Sequence, residues 1–363
     1  MKRSTSLSAI LVASIASALL PGCLDPGQDD GGAPRFEEGT EALSQPSPSS
    51  TVRIARVLGP QLEIQERTFD YLPTSYVVQP GGVDQVVMAG DRVVALRPNG
   101  SVVAKDGAVG AAWTTVAAPG SAVKVVAAGN TIATLSSTGR VRIKRGALSE
   151  PWVVAVGAGA KQVDLAGCGV LPSGGTLATA LAACDAASRI GYIDASNRFY
   201  ARTLASPTWT LMASNVASIS MAGTGIGVLT TAGSFLVKDG ALTAAWTTVA
   251  QGVKRIAVGG FTTDHPYAYV TNAGDLYVRR LQEPAYSLLA SGDPTINLFA
   301  SALAMRQASG ALSLMVPNTS GTPRYTPWVS QGTGRDLTLS RYFVTLDVSR
   351  TSGPSITTVV LAE

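Results

Sequence analysis

The chain has 363 residues and a formal net charge of +4, yet only 14% of its residues are charged, against roughly 25% in an average soluble protein. So few charged helix formers together with 38 glycines exclude a helical bundle or a coiled coil, and an apolar content of 46% excludes disorder over most of the length, because such a chain buries enough surface to offset its ordering entropy. One histidine and three cysteines leave little for transition-metal chemistry, so neither a metal site nor a cofactor is expected.

Residues 1–22 read as a signal peptide: Lys2 and Arg3 give a positive start, an apolar run from Leu7 to Leu20 follows, and Leu20-Pro21-Gly22-Cys23 closes it. The run is too short and too polar to remain as a spanning helix. Its ending resembles a bacterial lipobox, in which a cysteine thiol is acylated and the chain is cut just before it. That resemblance implies that Cys23 becomes a lipid-bearing first residue, an ordinary secretory signal with an incidental cysteine being the alternative. Residues 23–50 then form the lipidated cysteine and a tether, since Asp25, Asp29, Asp30, Glu37, Glu38 and Glu41 stand against Arg35 alone among prolines, glycines and serines. Leu24, not an acidic residue, follows the cysteine, which by the same resemblance implies the outer membrane. The expected address is exported and lipid-anchored to the cell envelope, with the membrane as one partner.

Residues 51–363 carry 25 of the 28 basic and 18 of the 24 acidic residues, spread thinly. The longest basic clusters are pairs such as Lys254-Arg255 and Arg279-Arg280, whereas a nucleic-acid reader shows a stripe or run, so no nucleic-acid partner is expected. Internal repeats decide the fold. Lys105-Asp106-Gly107-Ala108 and Ala111-Ala112-Trp113-Thr114-Thr115-Val116-Ala117 recur as Lys238-Asp239-Gly240-Ala241 and Ala244-Ala245-Trp246-Thr247-Thr248-Val249-Ala250, 133 residues on. Tyr76, Trp113, Trp152, Trp209, Trp246, Tyr286 and Trp328 hold the same place in successive units, at spacings of 37, 39, 57, 37, 40 and 42 residues. Turn glycines keep step at Gly100, Gly139, Gly233, Gly274, Gly310 and Gly353, with Asn197 in the third unit.

Units of about 40 residues with four short strands predict an all-β chain folded as a β-propeller. Blade starts fall near Val83, Val123, Val163, Val216, Val253, Ile296 and Leu337. The last unit is short, so the amino-terminal strands TVRIARVL and QLEIQE are expected to complete it, giving seven four-stranded blades over residues 51–363; six blades with an appendage is the alternative. Each first strand ends in small residues, which suits strands crowding a narrow channel, and the aromatic column is first of all a packing feature of the outer blade. The third unit is longer by the segment Cys168 to Cys184, and in an oxidising compartment these two cysteines are expected to bridge and clip that insertion at its base. His265, beside Asp264, is expected to be an ordinary loop histidine, since no nucleophile elbow or other catalytic motif accompanies it. The chain is therefore expected not to be an enzyme.

The segment from Ser234 to Gly240 with Trp246-Thr247-Thr248-Val249 resembles the tectonin and tachylectin-like propeller repeat, and Val86 to Gly90 with Ala95 to Val102 is similar to regulator-of-chromosome-condensation repeats, without their glycine-rich continuation. The first resemblance implies a lectin-like surface that binds surface glycans at repeated weak sites between blades. Trp113, Trp246 and Trp152 are then the expected platforms, with Lys105, Asp106, Lys238 and Asp239 beside them. The competing expectation is an interaction scaffold whose partner is an envelope protein.

The lipid anchor is open to a direct check: a palmitate analogue fed to cells should label the wild-type chain, and Cys23→Ser should abolish both the label and fractionation with membranes.

Overall fold

The computed structural model describes residues 51–58, 60–68, 77–79, 81–89, 92–168, 183–184, 186–259, 266–280, 287–299, 302–315, 329–333, 336–347 and 355–361. The strands β1 (Thr51–Leu58), β2 (Gln61–Thr68) and β3 (Val77–Val78) come first. Blade 1 follows with β4 (Gln85–Ala89), β5 (Arg92–Leu96), β6 (Val102–Lys105) and β7 (Thr114–Ala117), and blade 2 with β8 (Lys124–Ala128), β9 (Thr131–Leu135), β10 (Val141–Arg145) and β11 (Val153–Val156). Blade 3 holds β12 (Ala160–Ala166), β13 (Arg189–Asp194), β14 (Phe199–Thr203) and β15 (Thr210–Ala213); blade 4 holds β16 (Val216–Ala222), β17 (Gly225–Thr230), β18 (Phe235–Lys238) and β19 (Thr247–Ala250). Blade 5 comprises β20 (Val253–Val258), β21 (Pro266–Thr271), β22 (Leu276–Arg280) and β23 (Ser287–Ala290), and blade 6 comprises β24 (Thr295–Phe299), β25 (Ala302–Arg306), β26 (Ala311–Met315) and β27 (Val329–Thr333). The last strands are β28 (Asp336–Asp347) and β29 (Ser355–Leu361).

Each of the six blades is a four-stranded antiparallel meander. The first strands line up around an axis in chain order, and β28 meets β4 to close the ring. The seventh blade is the seam, a sheet in the order β29-β28-β1-β2-β3. The first half of β28, Asp336 to Tyr342, pairs with β1 from Val57 back to Thr51, so the amino end completes the carboxy-terminal blade without a covalent link. The second half, Tyr342 to Asp347, runs past β1 and pairs with β29, which gives this blade a fifth strand that the repeat pattern does not contain. The expected blade starts fall within three residues of the observed inner strands.

Strand alternation explains why the middle strands read as unbroken apolar runs. Every residue of β5 is buried. Val93 and Ala95 point into the cluster shared with Ala55, Val57, Leu62 and Ile64 of the seam blade, while Val94 and Leu96 point into the cluster shared with Val125 and Ile132 of blade 2. The core thus sits between blades as successive apolar layers, and each middle strand feeds two of them. Volume is matched within the layers. Phe199 and Phe235 begin their strands where other blades place Val102, Val141 or Leu276, and glycines on the neighbouring strand give them room: a Cβ on Gly191 would lie 2.7 Å from the Phe199 ring, and one on Gly227 would lie 3.0 Å from the Phe235 ring.

Two faces of the ring follow from the meander. The upper face carries the turns between second and third strands and the connections from one blade to the next; the lower face carries the remaining turns. On the upper face each connection is sewn to the turn beside it. Ala122 donates its N–H to Gly100 O at 3.1 Å, Ala160 to Gly139 O at 3.0 Å, Val216 to Asn197 O at 2.8 Å and Val253 to Gly233 O at 3.0 Å. Gly139 needs to be glycine on two counts: its φ is +76°, and a Cβ would sit 2.5 to 2.7 Å from the backbone of Gly159 and Ala160. Asn197 has φ 61° and is the tolerated substitute.

Gly139→Ala should therefore destabilise the ring by about 2–4 kcal/mol from strain and the forced retreat of the connection, while Gly110→Ala, with ordinary φ and open space around it, should stay within about 0.5 kcal/mol. Urea midpoints of the two variants compare the costs.

Candidate functional site

Four of the five tryptophans lie in the described residues, each half-buried immediately before an outer strand, and each is met by a cation in one of the last two positions of the third strand of its own blade. Lys105 Nζ stands 4.8 Å from the Trp113 ring centre, Lys144 Nζ 5.3 Å from Trp152, the Arg202 guanidinium 4.8 Å from Trp209 and Lys238 Nζ 4.4 Å from Trp246. The same cation reaches a carbonyl of the loop between them: Lys105 to Val109 O, Lys144 to Glu150 O, Arg202 to Ser206 O, and Lys238 to Leu242 O at 2.9 Å. A loop of six or seven residues is thereby folded around a desolvated charge. Burial lowers the pKa of Lys238, assisted by Arg189, and lowers that of Lys144 against the pull of Glu150.

The indole N–H groups turn the other way, toward the preceding blade. Trp152 Nε1 donates to Val116 O of β7 at 2.6 Å and Trp246 Nε1 to Met212 O of β15 at 3.2 Å. Gln79, following β3 of the seam blade, accepts through one Oε1 from both Trp113 Nε1 at 3.2 Å and Lys105 Nζ at 2.7 Å. Each of these indoles links its own loop to the outer edge of its neighbour. Of the expected ligand groups, Lys105 is wholly buried. Asp106 accepts both Arg92 Nε at 2.7 Å and Arg92 Nη2 at 2.8 Å. Asp239 accepts the Thr224 hydroxyl at 2.5 Å and the Gly240 N–H at 2.7 Å. Cys23, Tyr76, Asp264, His265, Tyr286 and Trp328 fall outside the described residues.

A set of arginines absent from the sequence reading crosses between blades on the lower face. Arg53 reaches Gly107 O at 2.8 Å; Arg92 reaches Asn130 O and Gly146 O, both at 2.8 Å; Arg145 reaches Leu204 O at 3.0 Å; and Arg189 reaches Thr224 O at 2.9 Å and Gly240 O at 2.5 Å. Charge-assisted bonds of this kind are roughly twice as strong as neutral ones. The recurring basic residue seven or eight positions before Trp113, Trp152, Trp209 and Trp246 was visible in the sequence and marks the clamps; nothing local marks the arginine latches. On the same face Cys168 and Cys184 are joined, their Cα atoms 4.9 Å apart, just beyond the ends of β12 and β13. Closing a loop of this length is worth about 3 kcal/mol.

Around the axis the inner strands enclose a cavity of 280 Å³. Contrary to expectation it has room for large side chains: Gln85, Lys124, Gln162, Asp164 and Ser220 line it together with Ile256, Ile296 and Leu298. The small residues stand at the ends of the first strands, as expected, where Ala89, Ala128, Ala166 and Ala222 are buried. An inner strand is the edge of its blade, and its free backbone groups are taken up by side chains of the preceding blade. Gln85 pairs with both N–H and C=O of Val125, and Gln162 does so with Ile219. Asp164 accepts Met221 N–H at 2.9 Å and Ser220 accepts Val258 N–H at 2.9 Å. Enclosure by the inner strands pushes the Asp164 carboxyl up to about 6, against the opposing effects of Lys124 and of the Met221 and Leu165 N–H groups.

No family model matches the chain and no curated protein does. Among solved structures it is similar to yeast RCC1 (Prp20) in its complex with Kap60, with a TM-score of 0.51 and 12% identity over 83% of this chain and 90% of that one. It is also similar to Prp20p of Saccharomyces cerevisiae, at 0.49 and 11% over 86% and 92%, and to human WBSCR16, at 0.48 and 9% over 75% and 89%. The likeness to yeast RCC1 is one of fold.

Asp164 keeps its proton in the folded ring to about pH 6 but loses it near the ordinary carboxylate value of 3.8 when unfolded. Its contribution to stability is therefore full below pH 4 and is lost as pH rises through 6. Asp164→Asn, which keeps an acceptor for Met221, should gain about 1–3 kcal/mol on wild type between pH 4 and pH 7, read from urea midpoints across that range.

Proposed function

We propose that this chain is a non-catalytic binding protein, held outside the cell on a lipid at Cys23, whose propeller engages another protein. The observation that carries this reading is the use of the aromatic column. The indoles at Trp113, Trp152 and Trp246 are committed to cations of their own blade and to the outer edge of the preceding one. What remains for recognition is the turn surface of the ring, and turn surfaces on a rigid scaffold are where binding residues gather. A ring of the same fold, that of yeast RCC1, has a protein partner in Kap60.

Glycan recognition is the second reading. It is favoured by the partial exposure of each indole, repeated around the ring. Shallow repeated sites of this kind gain avidity of about 10²–10⁴ on a target with repeated epitopes. The two readings separate on the full-length chain. Immobilised lipopolysaccharide, peptidoglycan and neutral polysaccharides should retain it no better than a blank surface. Saturable retention that Trp113→Phe and Trp246→Phe abolish without lowering the melting temperature would instead establish the indoles as sugar platforms and displace the protein reading.

A further inference from the structure

The two faces of the ring treat their cations differently. On the lower face Arg53, Arg92, Arg145 and Arg189 are turned into carbonyls of the neighbouring blade, and Lys105 and Lys238 lie against indoles. On the upper face Lys254 and Arg255 are held by Asp293, but other cations stand at the surface. Arg140, Lys161 and Arg198 are all exposed and gather where blade 2 meets blade 3. Lys161 Nζ is 2.9 Å from Asn197 Oδ1, in the turn that carries Arg198, and Arg140 Nε points at Gly157 O of the connection leading to Lys161, at 3.4 Å. Asp194 is the carboxylate at this corner; it is held by Arg198 at 2.7 Å, and hydrogen bonds from Arg198 and Ser196 outweigh its desolvation and lower its pKa. Asp194 thus pairs with Arg198, whereas Lys161 and Arg140 meet the neutral oxygens of Asn197 and Gly157.

The corner has further features that bear on what it binds. The Arg198 guanidinium lies 5.6 Å from the Tyr200 ring, which stacks on Tyr192 at 5.2 Å. On the next upper-face connection Val123 is 57% exposed, beside Ser121, whose carbonyl receives Arg142 at 3.3 Å. Arginines oriented by an aspartate and an aromatic ring, with an exposed aliphatic side chain nearby, have the composition of a protein interface, in which Arg and Tyr are enriched and charge is met pair by pair. A uniform polyanion calls for a continuous basic run, and this chain has only pairs.

We infer that the upper-face corner formed by Arg140, Lys161 and Arg198 is a docking surface for a protein partner that presents a cluster of carboxylates. This rests on the protein-binding reading above and adds to it the face, the corner and the charge of the partner. Complementary charge of this kind speeds encounter and fixes orientation.

The test uses the full-length chain and a fluorescent peptide of eight glutamates, with heparin as the polyanion control. Arg140→Gln with Lys161→Gln lowers the net charge by two at the corner. Ser149→Glu with Thr243→Glu lowers it by the same amount on the lower face, at exposed positions. The first pair should weaken peptide binding at least tenfold, and the second less than twofold. Arg140→Lys with Lys161→Arg, which keeps the charge but alters the Gly157 and Asn197 contacts, should bind as wild type and so separates charge from any loss of local structure. Equal losses in the two charge-lowering pairs would show a net-charge effect and overturn the corner while leaving the function reading intact. Absence of peptide binding, or heparin binding that exceeds peptide binding and falls with the corner pair, would overturn the acidic-protein assignment. Retention on glycan surfaces through Trp113 and Trp246 would instead remove the reading on which it rests.

Discussion

A blade of this ring has two apolar faces and no side to turn to water. The middle strands send alternate residues into the layers on either side, as Val93 and Val94 do, so removing one blade exposes apolar surface on both of its neighbours. Closure follows from this constraint. It explains why the last inner strand is paired with the first strands of the chain, since an open ring would leave two bare faces and a free strand edge, and free edges template association.

Apolar layers are not directional, and the register between blades is set by polar fastenings added to them. These fastenings fall into tiers. At the axis, Gln85, Gln162, Asp164 and Ser220 satisfy the free edge of the next inner strand. On the upper face, glycine turns receive the N–H groups of the connections, and on the lower face arginines reach across to carbonyls. At the rim, indoles donate to the outer strand or to Gln79 of the blade before. A ring held at all of these levels is a rigid platform, which suits a protein that recognises a partner through fixed turns. Asp164, an acid built into the axis tier, gives the platform a stability that depends on pH.

The tryptophans show how a repeated residue acquires its meaning from what it touches. Repetition alone is equally compatible with a row of binding platforms and a row of rivets. The cation behind each ring and the N–H bonds of Trp113, Trp152 and Trp246 make these indoles fasteners first, and they move the recognition surface from the rim to the turns. The exposed Arg140, Lys161 and Arg198 then single out the corner of blades 2 and 3 on the upper face.

The sequence by itself determined the repeat, the start of each blade, the turn glycines, the insertion with its cysteine pair and the use of the amino end to complete the last blade, while leaving six units open beside seven. All of these are local patterns repeated at a fixed spacing, and repetition makes weak signals legible. It did not determine what Lys105, Asp106, Lys238 and Asp239 do, because the Lys105 and Lys238 ammonium groups and the Asp106 and Asp239 carboxylates look like surface charges until a loop folds back over the lysines and Arg92 or Thr224 reaches the aspartates. Nor did it distinguish Arg92 and Arg189, which lock blades, from Arg140 and Arg198, which stand at the surface. Only the ring decides between them: the same residue type two strands apart faces either a neighbouring blade's carbonyls or open solvent, and that choice is made by contacts between units some 40 residues apart, which no local pattern records.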